Sequence, residues 1–324
     1  MRFKFSRTGL FLAPLAAMAE EQTVYDVAIV GGGPAGLSAA LWLARYLHSV
    51  VLIDSGDPRN WETRGINGFL GSHGVKSPDL RKHGREDAEH FGAKLVADVV
   101  EKIDNVNGER FDLSLKSGAT IVSRRLLLAF GIKDMWPRIP GLVDCYGETA
   151  HVCPDCDGFE TKDKKTVVIG SGRKAVGMAL ALANWTSRIV ICTNGEPAAM
   201  DQHLIDKLEA LNIPVLEAKV EKISSDEREI RCVNLEGGMS LDCEKLFFAI
   251  GQYPADDLGV QLKCRRDDFG LIEIDDRYHT SVLNVYAAGD IVPGPQLAIA
   301  AAADGAIAAL AIHASLIPEQ RRVD

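Results

Sequence analysis

The sequence predicts an α/β fold with two Rossmann-like nucleotide-binding domains built on parallel sheets. The first observation is that two segments share one order of elements: an apolar strand, a glycine-rich turn, an alanine-rich helix and another apolar strand. The second is size. The chain has 324 residues, 47% of them apolar and 25% charged, which exceeds one typical domain and suffices for large cores.

The element boundaries follow from the apolar patterns. The first repeated unit has a strand at 27–30, a glycine turn at 31–36, a helix at 37–45 and a second strand at 50–53. The second unit has the same elements, in the same order, at 166–169, 170–175, 176–184 and 189–192. Elsewhere in the chain, the pattern predicts antiparallel strands at 111–115 and 121–128, a buried strand at 280–288 and a helix of small residues at 296–316.

Charge and hydropathy exclude several partners. The net charge is −9 and no Lys/Arg-rich block occurs, so we expect no nucleic acid and no membrane partner. Residues 1–22 form an N-terminal extension in which Ala17-Met18-Ala19 resembles a signal-peptidase site, although synthesis could also start at Met18. We expect a cytoplasmic enzyme, with export as the alternative, and no transmembrane segment after this extension.

The first glycine turn has the spacing of a dinucleotide-binding site. Gly31 permits a tight turn, Gly33 lets the backbone approach a pyrophosphate, and Gly36 allows close packing of helix and strand, with Pro34 and Ala35 between them. The helix N-terminus offers free N–H groups to phosphates. Asp54 ends the next strand, where a carboxylate can accept hydrogen bonds from ribose hydroxyls.

A second candidate for cofactor binding is the Gly289-Asp290 pair, which ends the predicted strand at 280–288. The Asp290 carboxylate, together with Gln296 and Leu297 near the start of the following helix, could bind a polyol and lie near a flavin. The alternative is that Asp290 only caps a turn.

The segment Cys153-Pro154-Asp155-Cys156-Asp157-Gly158 predicts a redox-active dithiol. His151 and Asp157 are candidate proton carriers, because dithiol–disulfide interconversion moves protons as well as electrons. Half of a zinc site and two inert thiols are the alternatives, but no second pair of ligands has zinc-site spacing, so we predict no metal. The other cysteines are expected to be small buried side chains: Cys145, Cys192, Cys232, Cys243 and Cys264.

These motifs, in this order and followed by Tyr286-Ala287-Ala288-Gly289-Asp290, resemble the low-molecular-weight thioredoxin reductase family from Tyr25 to Leu316. The resemblance implies an FAD-binding domain at 23–132 and 257–324, an inserted NAD(P)H-binding-like domain at 133–256, and a homodimer. It further implies that Asn67 and Gly131 contact FAD. Cys156 would face the flavin, Cys153 would exchange with substrate, and Asp157 would transfer the proton.

The inserted domain departs from this family at the place where NADPH is recognised. The turn formed by Gly170, Gly172 and Ala175 is present, but 192–196 contains no Arg or Lys for a 2′-phosphate, and the strand end has no acid like Asp54 that would favour NAD. NAD(P)H is therefore a doubtful cofactor. The bulky Phe130 also stands where the family has a small residue.

These departures resemble relatives that do not use NADPH, and they leave three functions open. The first is a reductase of thioredoxin-like proteins, supplied with electrons by NAD(P)H, ferredoxin or another donor. The second is an oxidase that passes electrons from a small-molecule dithiol to oxygen. The third is a flavin-binding redox sensor without rapid turnover. The sequence does not name the electron partner.

Overall fold

The computed structural model describes residues 23–59, 63–249 and 251–322. The predictions made for the N-terminal extension lie outside these residues, and location in the cytoplasm stays a prediction.

The strands are numbered in chain order. They are β1 (Val24–Val30), β2 (Val50–Asp54), β3 (Lys94–Ala97), β4 (Val100–Val106), β5 (Arg110–Leu115), β6 (Thr120–Leu128), β7 (Ile132–Asp134), β8 (Ala150–His151), β9 (Thr166–Ile169), β10 (Ile189–Cys192), β11 (Val215–Leu216), β12 (Val220–Asp226), β13 (Glu229–Leu235), β14 (Ser240–Asp242), β15 (Lys245–Phe248), β16 (Gln252–Pro254) and β17 (Val285–Ala287).

The α-helices are numbered in the same way. They are α1 (Pro34–Arg45), α2 (Ser77–His90), α3 (Leu142–Cys145), α4 (Pro154–Asp157), α5 (Gly172–Leu182), α6 (Gln202–Ala210), α7 (Leu258–Gln261) and α8 (Ala298–Leu316). Two 3₁₀ turns lie at Phe159–Thr161 and Glu319–Arg321.

The larger sheet comes from both ends of the chain. Within the described residues it has seven strands in the order β3-β2-β1-β6-β5-β4, and β17 also pairs with β6. The antiparallel strands predicted at 111–115 and 121–128 are confirmed by the pairing of β5 with β6, and β6 also pairs in parallel with β1 and β17. Strand β6 therefore joins the parallel strands of this sheet to its antiparallel strands.

The smaller sheet carries the second glycine turn. Its described strands run β11-β10-β9-β15-β8, all in parallel, beside an antiparallel sheet of β12, β13 and β14. Strands β7 and β16 pair as a two-stranded connection between the two regions. The mixed α/β fold with two Rossmann-like regions is confirmed, whereas the exact domain boundaries stay a prediction.

Local chemistry explains where several elements begin and end. Helix α1 starts at Pro34, earlier than predicted, because proline suits the first helical position. The buried strand predicted at 280–288 is mostly a turn. The Thr280 hydroxyl donates to the Val285 carbonyl at 3.0 Å, and Asn284 has a left-handed backbone with φ of 62°. Only Val285–Ala287 remain extended.

Helix α8 corrects the expectation about transmembrane segments. Among the described helices, only α8 is long and apolar enough to span a membrane by length and composition. Of its apolar stretch, 28% is buried inside the protein. Its Gly305 packs directly against the backbone of Ala35 in α1, so one face of α8 belongs to the core of the larger region. Ile299, Ile307 and Leu310 are exposed on α8. The homodimer stays a prediction.

Candidate active site

A cavity of about 290 Å³ brings most of the sequence-predicted site residues together. Its wall includes the first glycine turn, the end of β2, the start of β7, the start of α8 and the cysteine pair. The predicted residues that line it are Gly31, Gly33, Pro34, Ala35, Asp54, Asn67, Gly131, His151, Cys153, Cys156, Asp157, Gly289, Asp290, Gln296 and Leu297. The two nucleotide-binding-type regions thus meet at one site.

The first glycine turn leaves backbone accessible in this cavity. A Cβ built on Gly33 meets no atom within 4 Å, so the space beside this residue is open. Helix α1 has no side-chain cap, which leaves its first N–H groups available to an anion. Gly36 does not line the cavity; a Cβ there would overlap the carbonyl oxygen of Gly31, which fits the packing role expected from the sequence. Its role is close packing.

Asp54 is held by two arginines of α2, which sequence reasoning missed. Its Oδ2 accepts from Arg81 at 2.7 Å and from Arg85 at 2.5 Å, and its Oδ1 accepts from the Gly32 and Gly56 N–H groups at 3.3 Å. Burial opposes ionisation, but these donors outweigh it and hold the pKa of Asp54 below its usual value. The carboxylate is therefore ionised at neutral pH. Arg81 and Arg85 are four residues apart, a spacing that places two cations on the same face of a helix, and this was the signal that could have found them.

Asp290 and Gln296 share one cation, Arg59, which approaches from the loop after β2. Arg59 lies 3.3 Å from Asp290 Oδ2 and 3.2 Å from Gln296 Oε1, and it binds both oxygens of Asp134 in β7 at 2.8 and 2.9 Å. Burial raises the pKa of Asp290, and Arg59 opposes that effect. Asp290 is thus paired with a cation, which the alternative of a simple turn cap does not include.

Cys153 and Cys156 form a disulfide with a Cα–Cα distance of 5.3 Å. The Cys156 N–H donates to Cys153 Sγ at 3.1 Å, because Cys153 caps α4. Asn67, predicted to contact the cofactor, donates to the Cys156 carbonyl at 3.1 Å and to Asp157 Oδ1 at 3.4 Å. The other oxygen of Asp157 lies 3.4 Å from His151 Nδ1, so both predicted proton carriers lie beside the disulfide.

Four of the five remaining cysteines have surroundings that suppress reactivity. Cys145, Cys192, Cys243 and Cys264 are buried, and burial raises the pKa of each thiol, that of Cys243 to about 12. Cys232 departs from the prediction because it is partly exposed. Over the part of the chain that the structure describes, no group of three or more His, Cys, Asp or Glu is arranged to hold a metal ion.

The second glycine turn lies outside the cavity and is covered by its own chain. The Gly172 N–H donates to the Ala198 carbonyl at 2.8 Å, and a Cβ on Gly172 would lie 3.4 Å from the Ala199 carbonyl oxygen. Arg173 forms an exposed ion pair with Asp201 at 3.7 Å. Residues 194–201, which follow β10, therefore occupy a donor that a bound phosphate would need.

The first turn and its surroundings fit a flavin adenine dinucleotide. Gly33 leaves open backbone for a pyrophosphate, and Asp54 is an ionised acceptor suited to a ribose. Helix α8 also begins without a side-chain cap, at the cavity wall near Asp290. The cavity thus brings the polar groups of the first glycine turn, Asp54 and Asp290 into one space with the sulfur atoms of the cysteine pair.

Comparisons with known proteins agree with this geometry. Residues 25–305 match the pyridine nucleotide-disulphide oxidoreductase family. Thioredoxin reductase of Rickettsia felis is 29% identical over 300 residues, covering 89% of this chain and 96% of that protein. The enzyme of Bacillus subtilis is 28% identical over 320 residues, covering 90% and 95%.

Among solved structures, HlmI superposes with a TM-score of 0.86 at 32% identity, covering 90% of this chain and 92% of that one. The family match at residues 25–305 spans the part of the chain that contains both glycine turns and the cysteine pair. The protein is therefore an oxidoreductase enzyme that belongs to the pyridine nucleotide-disulphide oxidoreductase family and is similar to its thioredoxin reductases of the low-molecular-weight, flavoprotein type.

Proposed function

We propose that this enzyme is an FAD-dependent thiol–disulfide oxidoreductase, which moves electrons between Cys153–Cys156, FAD and a dithiol or disulfide partner such as a thioredoxin-like protein. The observation that carries the proposal is that the disulfide and the first glycine turn line one cavity. A dinucleotide bound by that turn shares the cavity with both sulfur atoms. The similarity to thioredoxin reductases supports the same partner class.

FAD supplies a two-electron carrier when bound, and the chain's residues perform the thiol chemistry. Exchange with a partner needs a thiolate, which we assign to Cys153 because the Cys156 N–H is already directed at its sulfur. Cys156 is assigned to the flavin side. Asp157 is assigned to proton transfer, since Asn67 and His151 hold its two oxygens beside the disulfide.

We further propose that NADPH is a poor electron donor. A 2′-phosphate is usually met by Arg or Lys in charge-assisted hydrogen bonds, and 193–196 contains neither. The Gly172 N–H is already bonded to Ala198, and Arg173 is paired with Asp201. Loss of such contacts costs about 2–4 kcal/mol, roughly 30- to 1000-fold in affinity.

The same covered turn favours a second candidate function, a dithiol oxidase. In that reaction the partner dithiol reduces the Cys153–Cys156 disulfide, the electrons pass to FAD, and oxygen reoxidises the flavin. No nicotinamide nucleotide is needed in this reaction, so the hydrogen bond that occupies the Gly172 N–H has no catalytic cost. The two candidates share the cavity chemistry and differ in the direction of electron flow.

Anaerobic mixing of the FAD-loaded protein with NADPH and, separately, with a dithiol tests both proposals. We expect the flavin absorbance to persist with micromolar NADPH and to bleach with the dithiol. Recovery of the absorbance in air, with repeated turnover, supports the oxidase; reduction by ferredoxin and turnover with thioredoxin supports the reductase. Rapid bleaching by NADPH would contradict the claim about the donor, and a protein that retains no flavin would contradict the main proposal.

A further inference from the structure

A lysine that does not line the cavity contacts His151, one of the two candidate proton carriers of the redox centre. Lys245 is the first residue of β15, which pairs in parallel with β8, the strand that ends at His151. The Lys245 ammonium donates to the Glu148 carbonyl at 3.1 Å and lies 3.5 Å from His151 Nε2. The parallel register therefore brings a cation to the far side of the His151 ring from the disulfide.

The contacts form a continuous chain of side chains from Lys245 through His151 to Asp157, in the segment that carries the cysteine pair. His151 is 6% exposed, and its ring lies against Phe247, so its two nitrogens have fixed neighbours. Nε2 faces Lys245, and Nδ1 lies 3.4 Å from Asp157 Oδ2. A protonated lysine can only donate, which makes Nε2 the acceptor and leaves the ring proton on Nδ1, directed at Asp157.

We propose that Lys245 is a positioning residue of the redox centre: it fixes the Nδ1–H tautomer of His151 and so completes a proton path from Lys245 through His151 to Asp157. This inference rests on the proposed thiol–disulfide function. Neither the cysteine motif nor the glycine turns in the sequence point to Lys245.

The path balances the protons of the reaction. Two electrons that enter the disulfide break its S–S bond and leave two thiolates. One thiolate takes a proton through Asp157 from Nδ1 of His151, while His151 Nε2 takes a proton from the Lys245 ammonium; the other thiolate stays ionised. When the dithiol is oxidised again, the proton returns along the same path to Lys245, which restores the Nδ1–H form of His151.

The electrostatic surroundings keep this lysine suited to proton exchange. Burial lowers the pKa of Lys245, and Arg64 lowers it further, whereas Asp157, Glu160 and Glu229 raise it. Arg64 is itself paired with the Glu148 carboxylate, whose backbone carbonyl accepts from Lys245. The net effect is a pKa below the usual value of a lysine, so this ammonium gives up a proton more readily than an exposed lysine does.

Lys245→Met tests the inference, because methionine keeps the length of the side chain and removes the ammonium group. Lys164→Met is the matched control, since Lys164 is exposed and paired only with Glu244, at 3.0 Å. The first readout is the ¹⁵N chemical shifts of His151 at slightly alkaline pH, assigned with His151→Gln. We expect the Nδ1–H form in the native protein and in Lys164→Met, and a mixture with the Nε2–H form in Lys245→Met. Unchanged nitrogen shifts in Lys245→Met would overturn the inference.

The second readout is anaerobic bleaching of the FAD-loaded protein by dithiothreitol across a pH series. We expect Lys245→Met to slow bleaching about tenfold and to lose one ionisation from the pH profile, with the half-saturating dithiol concentration unchanged. Lys245→Arg should keep the Nδ1–H form of His151 but not restore the rate, because a guanidinium donates a hydrogen bond without giving up its proton. Lys245→Gln gives the same comparison of rates if the methionine variant does not fold. If the native flavin is not bleached at all, the proposed function fails, while the nitrogen shifts still decide the role of Lys245.

Discussion

At the scale of single residues, the two cysteines of the redox centre have unequal surroundings. Cys153 Sγ accepts from a backbone N–H, whereas the backbone of Cys156 is tied to Asn67. We expect Cys156→Ser to abolish turnover and any long-wavelength thiolate–flavin absorbance, because only a thiolate beside the flavin can donate charge into it. Cys153→Ser should lose turnover and keep that band. Absorbance spectra of both variants check this assignment, and the opposite pattern would exchange the two roles.

Asp54 gives a prediction about stability and pH. Asp54→Asn leaves Arg81 and Arg85 without their carboxylate, and breaking such a partly buried pair costs about 3 kcal/mol. The folded-state pKa of Asp54 is lowered, so its stabilising effect is full above about pH 4 and decreases as the pH falls through the folded-state value. Urea unfolding of both proteins over a pH series, with and without FAD, measures this difference.

Asp112→Asn is the control for that series, because Asp112 pairs with Arg110 at 2.7 Å on the surface of β5. We expect little change in its free energy of unfolding. An equal loss in both variants, or a loss in Asp54→Asn that grows as the pH falls below 4, would contradict the role given to the arginine pair.

Sequence reasoning found the candidate ligands at this scale but not their partners. The spacing of Gly31, Gly33 and Asp54 follows from the geometry of a strand–turn–helix unit, which is local. Arg81 reaches Asp54 across 27 positions, and Arg59 reaches Asp290 across 231. Such contacts depend on how helices and loops pack, and no local pattern encodes them.

At the scale of elements, the packing of α8 on α1 controls the shape of the first glycine turn. A Cβ on Gly305 would overlap the carbonyl oxygen of Ala35, which lies in the first turn of α1 and lines the cavity. We expect Gly305→Ala to destabilise the protein and to weaken retention of FAD, because α1 must move. Thermal unfolding and the flavin-to-protein absorbance ratio measure the two effects.

Gly177→Ala in α5 is the matched control, since a Cβ at that position meets no atom within 4 Å. Alanine in a helix interior is favoured over glycine by about 0.5–1 kcal/mol, so this variant should be as stable as the native protein or more stable. If Gly305→Ala also gains stability and keeps its flavin, the contact between α8 and α1 does not shape the site.

The elements themselves were predicted best where apolar residues are continuous. Strands β9 and β10 have the predicted bounds, because a buried parallel strand is a short apolar run bounded by polar residues. Residues 280–288 are mostly apolar but include three polar residues, and the Thr280 hydroxyl and the left-handed Asn284 hold most of the segment in a turn outside the sheet. Side-chain hydrogen bonds with the backbone decided that outcome.

At the scale of the whole molecule, the chain is organised so that two nucleotide-binding-type regions share one cavity. The seven-stranded sheet supplies the open glycine turn, and the region of the five-stranded sheet supplies the disulfide. The second glycine turn is covered by residues 194–201, which separates this chain from a simple pair of equivalent nucleotide sites. The repeated motif in the sequence predicted both regions, but the covering loop was visible only in three dimensions.

The central claim is that the Cys153–Cys156 disulfide exchanges electrons with a flavin in this cavity. The most direct measurement is an anaerobic reductive titration of the FAD-loaded protein with dithionite, beside the Cys153→Ser/Cys156→Ser double variant. We predict that the native protein takes up four electrons per flavin, two for the flavin and two for the disulfide, and that the double variant takes up two. Uptake of two electrons by both proteins, with the disulfide still intact after the flavin is bleached, would contradict the account.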